Sequence, residues 1–293
     1  MMTPSPFTRA QSRKPIDGWR WAGNIFLVLL LVFALFPMAW MVLTSIKTQF
    51  AALQYPPQWW PTEPTFENYT KLLDPSNPVG QEFLRYFWNS FTVSLATTVL
   101  GVAVAVPAAY AFSRFSFPGR TLLFFSVLLR NMFPAVVFLT PLFILMRWMG
   151  LVNSQSSLVI TYLTFGLPLS IWLLKGFFDN IPIQLEQAAR IDGATRFQAF
   201  IYVVMPLSTP GIIATSIFSF IGAWNEYVYA LTFLSRQDKM TLPVGVQRFF
   251  GEFATDWPGL MAATFLMSVP VVVLFLVLQK YFVRALTEGA VKH

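Results

Sequence analysis

Polar residues along this chain come as short islands between long apolar runs. Six runs are almost free of charge: residues 21–46, 88–112, 121–146, 156–178, 209–234 and 258–282. A bilayer core of about 30 Å is spanned by about 20 residues of helix, and every one of the six is that long. Backbone polar groups in lipid have to be satisfied within their own segment, so each run is expected to be a helix. The pattern predicts an all-α integral membrane protein with six transmembrane helices. Pro37, Pro107, Pro134, Pro168 and Pro270 fall inside the runs and read as kinks. Small residues crowd the second run (Ala96, Gly101, Ala103, Ala105, Ala108 and Ala109), which suits close helix approach.

Composition agrees and removes several functions. Only 11% of the 293 residues are charged, against about 25% in soluble proteins. Cysteine is absent, so there is no disulfide framework, thiolate metal site or cysteine nucleophile. His293 is the single histidine, which leaves nothing for a histidine triad or an HExxH zinc site. The phosphate-binding pattern GxxxxGK[ST] does not occur, so ATP is not bound here in the usual way. No metal or cofactor constellation stands out. The chain does not read as an enzyme.

The net charge of +7 first suggests nucleic acid, but its distribution points to a membrane. With six spans both termini share a side. The N-terminal segment, residues 113–120, residues 175–208 and the tail from Lys280 then carry twelve cations and five carboxylates, while the opposite side has seven of each. Arg130 and Glu226 lie within spans and cancel. The positive-inside rule makes the first side cytoplasmic, N-in and C-in. Residues 1–20 read as a basic cytoplasmic segment, and the run after them is too long for a cleaved signal, so it reads as a retained first span. Residues 21–293 form the membrane domain. In the first outer segment, Trp59 and Trp60 read either as headgroup anchors or as contacts for a soluble partner.

The main cytoplasmic island is residues 179–208. Pro182 suits a first helical position, and Leu185, Ala188, Ala189 and Asp192 follow at helical spacing. Gly193 is placed to end that helix. Thr195 can cap a second helix that runs through Phe197, Phe200, Ile201 and Val204 to Met205 and Pro206. The pattern alone leaves two readings. One is an ordinary amphipathic hairpin capping the bundle. The other is a docking surface, on which two small alanines let another protein's backbone come close.

The stretch Glu186-Gln187-Ala188-Ala189-Arg190-Ile191-Asp192-Gly193-Ala194, followed by Met205-Pro206-Leu207, resembles the EAA motif of ABC-importer permeases. Gln187 departs mildly from the usual triplet. Asn131-Met132-Phe133-Pro134, Trp224-Asn225-Glu226-Tyr227 and the end from Gln279 to Lys292 are similar to the carbohydrate-uptake branch, nearest the second permease of maltose-type importers. The resemblance implies the type I permease fold and a coupling helix, with Glu186, Ala188, Ala189, Asp192, Gly193 and Pro206 facing an ATP-binding subunit. It implies four partners: a homologous larger permease, an ATPase dimer that holds ATP and Mg2+, an extracytoplasmic solute-binding protein and the lipid bilayer of the cell inner membrane. It also implies a second ATPase contact at residues 287–293, and no cofactor in this chain.

Three further features carry two readings each. Arg130, about ten residues into the third run and so near mid-membrane, is a pathway cation or a structural partner for a carbonyl or carboxylate. Glu226, with Asn225, reads as a gating or packing group, since proton relay would want further carboxylates within the membrane. In the outer loop 235–257, Gln247, Phe249 and Phe250 either enter the binding protein's sugar cleft, as the resemblance implies, or form an ordinary surface loop. The function expected is a sugar or oligosaccharide permease, with Arg130 leaning toward uronate-containing cargo such as alginate fragments. The alternative is an ATP-independent secondary carrier or channel, which inverted repeats and several ionisable groups inside the membrane would favour.

Overall fold

The computed structural model describes residues 18–251 and 255–290, with the backbone alone for residues 18–20, 131 and 280–290. Helices dominate, and among the described residues the only strand-like pairing is one bridge between Phe250 and Thr255. The loop after α1 (Gly18–Ser45) carries α2 (Gln49–Leu53) and α3 (Glu67–Leu73). Helix α4 (Pro78–Arg114) begins sharply: Pro78 needs no N–H partner, and the Asn77 side chain accepts from Val79 N at 2.9 Å. Its 37 residues reach about 55 Å, beyond both faces of a bilayer core.

The rest of the bundle packs around α4. After α5 (Arg120–Leu129) and α6 (Leu139–Trp148) come α7 (Gln155–Asn180), α8 (Ile183–Ile191), α9 (Arg196–Ala199) and α10 (Met205–Leu207). Helices α11 (Thr209–Trp224), α12 (Val228–Phe233), α13 (Leu242–Val246) and α14 (Trp257–Ala290) complete the chain. Helix α4 lies against α7 and α11, α11 against α14, and α14 against α1. Ala105 and Ala109, both wholly buried, let α4 approach closely at a core shared with Ile171, Leu174, Phe178 and Val204. A second core joins Val93, Met146, Leu158 and Phe233, and a third joins Leu72, Phe83, Trp224, Ala262 and Ala263.

Helix α1 is different, because its apolar side chains from Trp21 to Phe36 are exposed. Such a surface belongs in lipid or against another membrane helix. Trp59 folds back on the C-terminal end of α1, edge-on to Trp40 at 5.4 Å.

The six expected spans are not all uninterrupted helices among the described residues. Among the described residues four helices are long and apolar enough to cross a membrane, and five if the pair Arg196–Leu207 and Thr209–Trp224, bent by 72°, is taken together. The expected third span, 121–146, is two ten-residue helices joined by 3-10 turns at Arg130–Met132 and Ala135–Phe138. Pro134 is the cause. It forces Phe133 into an extended conformation (φ −91°, ψ 133°) and cannot donate to the turn before it. The other four prolines sit inside continuous helices, as expected. The expected fifth span, 209–234, breaks between Trp224 and Val228. The island 179–208 and residues 113–120 meet at one end of the bundle, through Arg114 and Glu186. Helix α13, in the loop that follows α12, meets the start of α4 at the other.

Candidate coupling hairpin and membrane cavity

The island folds as a helix, a turn and a second helix. Pro182 precedes α8 instead of opening it. Gly193 adopts φ +93°, Ala194 N donates to Ala189 O at 3.0 Å, and Gly193 N donates to Arg190 O at 3.2 Å. That pair of bonds is a Schellman ending, which satisfies carbonyls the helix leaves open. Thr195 then caps α9 reciprocally: Gln198 N donates to its hydroxyl at 3.2 Å, and Thr195 N to Gln198 Oε1 at 2.8 Å. The following turn widens to a π-helix over Phe200–Val204, which accommodates Pro206.

Glu186 does not stand on the presented surface. It is 7% exposed and receives the Tyr110 hydroxyl at 2.8 Å and the Arg114 Nε–H. The other end of the Arg114 guanidinium donates to Ile181 O at 2.8 Å. Two side chains one turn apart on α4 therefore hold both α8 and the end of α7. Beside them Asp179 accepts from Ser113 at 2.6 Å. Ala188, Asp192, Gly193 and Pro206 are exposed and Ala189 half-buried, next to Ile191 at 86% and Phe197 at 72% exposure. Sequence reasoning missed Tyr110 and Arg114. The available signal was a polar pair at i and i+4 at the end of an apolar run.

The two helix breaks meet inside the bundle. The Tyr229 hydroxyl on α12 donates to Ala135 O at 2.6 Å, in the turn after Pro134. Glu226 occupies the second break: Oε1 accepts from Tyr229 N at 2.8 Å, and Oε2 from Ala230 N at 3.1 Å and the Tyr162 hydroxyl at 2.6 Å. The carboxylate thus caps the open N–H groups of α12 and ties them to α7. Asn225 is exposed at the end of α11. The Arg130 guanidinium lies 3.4 Å from the centre of the Phe165 ring and 5.8 Å from that of Phe138. Arg130 and Glu226, two charges the sequence places well inside different spans, both line a cavity of about 350 Å³. Irregular backbone is tolerated at this depth where protein or a cavity covers it.

The outer loop is clasped to the start of α4. Glu82 accepts from Gln237 and Arg248, and Arg248 also donates to the Tyr86 hydroxyl at 3.0 Å. Gln247 and Phe250 are exposed, while Phe249 is half-buried against the third core. Arg236 hydrogen-bonds Asp238 and holds its carboxyl below the usual range. Burial lowers the pKa of Lys47, whose ammonium donates to Gln58 O at 2.5 Å. Of the expected tail contact 287–293, the backbone of 287–290 continues α14, and 291–293 lie outside the described residues.

An all-helical bundle with apolar outer helices, a cavity at two helix breaks and an exposed hairpin at one end defines a component that moves solutes across a membrane. Residues 97–288 match the family described as binding-protein-dependent transport system inner membrane component, and the chain belongs to that family. It is 39% identical over 264 residues to the sulfoquinovosyl glycerol transport system permease protein SmoH of Agrobacterium fabrum, covering 90% of this chain and 91% of the relative. It is 37% identical to the trehalose transport system permease protein SugB of Mycobacterium tuberculosis, covering 89% and 93%. The crystal structure of a bacterial ABC transporter involved in the import of the acidic polysaccharide alginate holds a similar chain (TM-score 0.77, 24% identity, 95% of this chain and 100% of that one). That likeness shows the permease fold. The chain is a multi-pass inner-membrane permease of a binding-protein-dependent transport system, and the ATP-independent carrier or channel falls away.

Proposed function

We propose that this chain forms half of the translocation path of an ATP-driven sugar importer. Full-length relatives are permeases for sulfoquinovosyl glycerol, trehalose and diacetylchitobiose, which supports a sugar or small oligosaccharide as cargo. The other half of the path is a homologous larger permease. A pair of ATP-binding subunits supplies ATP hydrolysis with Mg2+, and an extracytoplasmic binding protein delivers the sugar near Gln247, Phe249 and Phe250.

One observation carries the mechanism. The helix that holds the hairpin also walls the cavity: α4 gives Tyr110 and Arg114 to Glu186 and Thr97 to the cavity lining. A helix is stiff along its axis, so a pull on α8 reaches the cavity as displacement of α4. Closure of the ATPase pair would press on the face formed by Ala188, Ala189, Asp192 and Gly193. The buried pair beneath that face would pass the movement to α4, and the breaks at Arg130–Phe138 and Asn225–Tyr227 would let the path open on one side at a time.

Reconstitution of the four components in liposomes tests this reading. Labelled trehalose, diacetylchitobiose, sulfoquinovosyl glycerol and alginate oligosaccharides are offered with the binding protein outside and ATP inside. ATP-dependent accumulation of at least one sugar is expected. Accumulation at the same rate without the ATP-binding subunits would contradict it.

A further inference from the structure

Resting on the importer reading, a second hollow, between α5 and α7 at the hairpin end of the bundle, gains a role. We propose that it is an exit subsite, where a sugar ring leaving the helix-break cavity is held by Trp172, Asp179 and Asn180 before release. The two hollows lie on one lane. Along α7, Gly166, Leu169, Leu173, Gly176 and Asn180 follow at spacings of three and four, so they share a face. Gly166 and Leu169 line the cavity of about 350 Å³. Gly176 and Asn180 line the second hollow, of about 310 Å³, and Leu173 lines both. The facing wall continues as well: Phe124 on α5 lines the second hollow, and Arg130, where α5 ends, lines the first. Gly166 and Gly176 stand about 15 Å apart along the axis. Nothing lies within 4 Å of where a Cβ would be on either, so the floor of the lane is open.

The second hollow carries groups that hold a sugar. Trp172 lines it and is 50% exposed, which leaves a flat apolar face for the C–H side of a ring. Asp179 and Asn180 are both exposed. Asp179 accepts from Ser113 at 2.6 Å and from Lys175 at 2.5 Å, and a carboxylate can receive about four donors. Its side chain is 42% exposed, so sugar hydroxyls can reach the remaining positions. The Asn180 amide adds donors and an acceptor. Lys175 balances the charge of Asp179 and sits over the Phe124 ring at 5.4 Å. A charge-balanced mouth suits hydroxyls better than an ionic substituent. The volume is at the lower end for small-ligand sites, about 300–1,000 Å³, and suits one sugar ring.

The test uses the complete importer in liposomes. The chain has no cysteine, so a single introduced thiol reports its own surroundings. Gly176→Cys and Leu173→Cys probe the lane, and Leu100→Cys, at an exposed apolar position of α4, is the control for a lipid-facing site. A membrane-impermeant cationic thiol reagent is added on the side of the ATP-binding subunits, without ATP or binding protein, and the mass of this chain is followed. The thiolate is the reacting form, and it needs water. Gly176→Cys and Leu173→Cys should react and Leu100→Cys should not. Trehalose or diacetylchitobiose should slow the reaction of both lane thiols, while glycerol, which has hydroxyls but no ring, should not. In the Gly176→Cys background, Trp172→Ala should raise the protecting sugar concentration at least about fivefold. Asn180→Ala should raise it about two- to tenfold, and Trp172→Phe should recover part of the loss. Leu173→Cys carries the same readings should Gly176→Cys fail to assemble.

Lane thiols as unreactive as Leu100→Cys would set the hollow against lipid or the second permease and overturn the proposal. So would labelling that neither sugar slows. Protection unchanged by Trp172→Ala and Asn180→Ala overturns it too, because the sugar then sits elsewhere. With ATP-dependent sugar uptake by native liposomes, each of these results leaves the importer reading intact. Absence of ATP-dependent uptake for every sugar refutes the importer reading, and this inference falls with it.

Discussion

Arg114 and Glu186, 72 residues apart in the chain, meet as an ion pair with both side chains only 9% exposed. Through it the end of a long membrane helix grips the underside of the hairpin. Breaking a buried pair leaves one charge without its partner, at a cost of about 3 kcal/mol. Glu186→Gln and Arg114→Met should each lower the thermal stability of the detergent-solubilised complex by that order. The double variant should lose much less than the sum of the two. Additive losses in a double-mutant cycle would show that the two side chains act separately.

Gly193 tests the turn. At φ +93° an alanine is strained by about 1–2 kcal/mol, although open space surrounds the position where its Cβ would stand. Gly193→Ala should therefore destabilise through backbone strain alone, and Gly193→Asn should recover part of the loss, since asparagine tolerates this region. Equal melting temperatures for native and Gly193→Ala protein would argue against a left-handed turn.

Much of the hairpin was legible because its signals are local. Glycine at a helix end and threonine followed three residues later by glutamine write their hydrogen bonds into neighbouring positions. The inward turn of Glu186 was not legible, because its partners come from another span. The breaks were hidden for a related reason. Apolar composition continues through Phe133, Val136 and Phe138, so hydropathy reports a span where the backbone changes course. Pro134 was visible, but of the prolines read as kinks only this one interrupts a helix. Tyr162, the one tyrosine of its run, was the available pointer to the seat of Glu226.

Glu226 gives a third prediction. Glu226→Gln keeps the shape but places an amide N–H2 where one oxygen now accepts from protein donors, at a cost of about 1–3 kcal/mol. Tyr162→Phe removes one donor and should cost about 1 kcal/mol. Thermal unfolding in detergent should rank native above Tyr162→Phe above Glu226→Gln. The reverse order of the two variants would show that the hydroxyl, and not the α12 cap, dominates this site.

The outer clasp supplies a fourth. A Cβ on Gly245 would fall 2.2 Å from Cδ2 of Tyr86, whose ring is buried. Gly245→Ala should destabilise by about 1–3 kcal/mol through overpacking. Gly176→Ala, with nothing within 4 Å of its Cβ, should be neutral or slightly stabilising, as expected for alanine within a helix. Melting of the two variants side by side reads the difference.

The central claim is that the hairpin turns a partner's ATP cycle into movement of this chain, and Asp192→Lys tests it most directly. Asp192 is exposed at the end of α8, so reversing its charge disturbs the presented face while the buried Arg114–Glu186 pair stays in place. The measurement is ATP hydrolysis by the purified complex, with and without sugar-loaded binding protein. The account predicts that the complex assembles and keeps its unstimulated hydrolysis, while stimulation by the loaded binding protein is lost. Native stimulation in Asp192→Lys would contradict it.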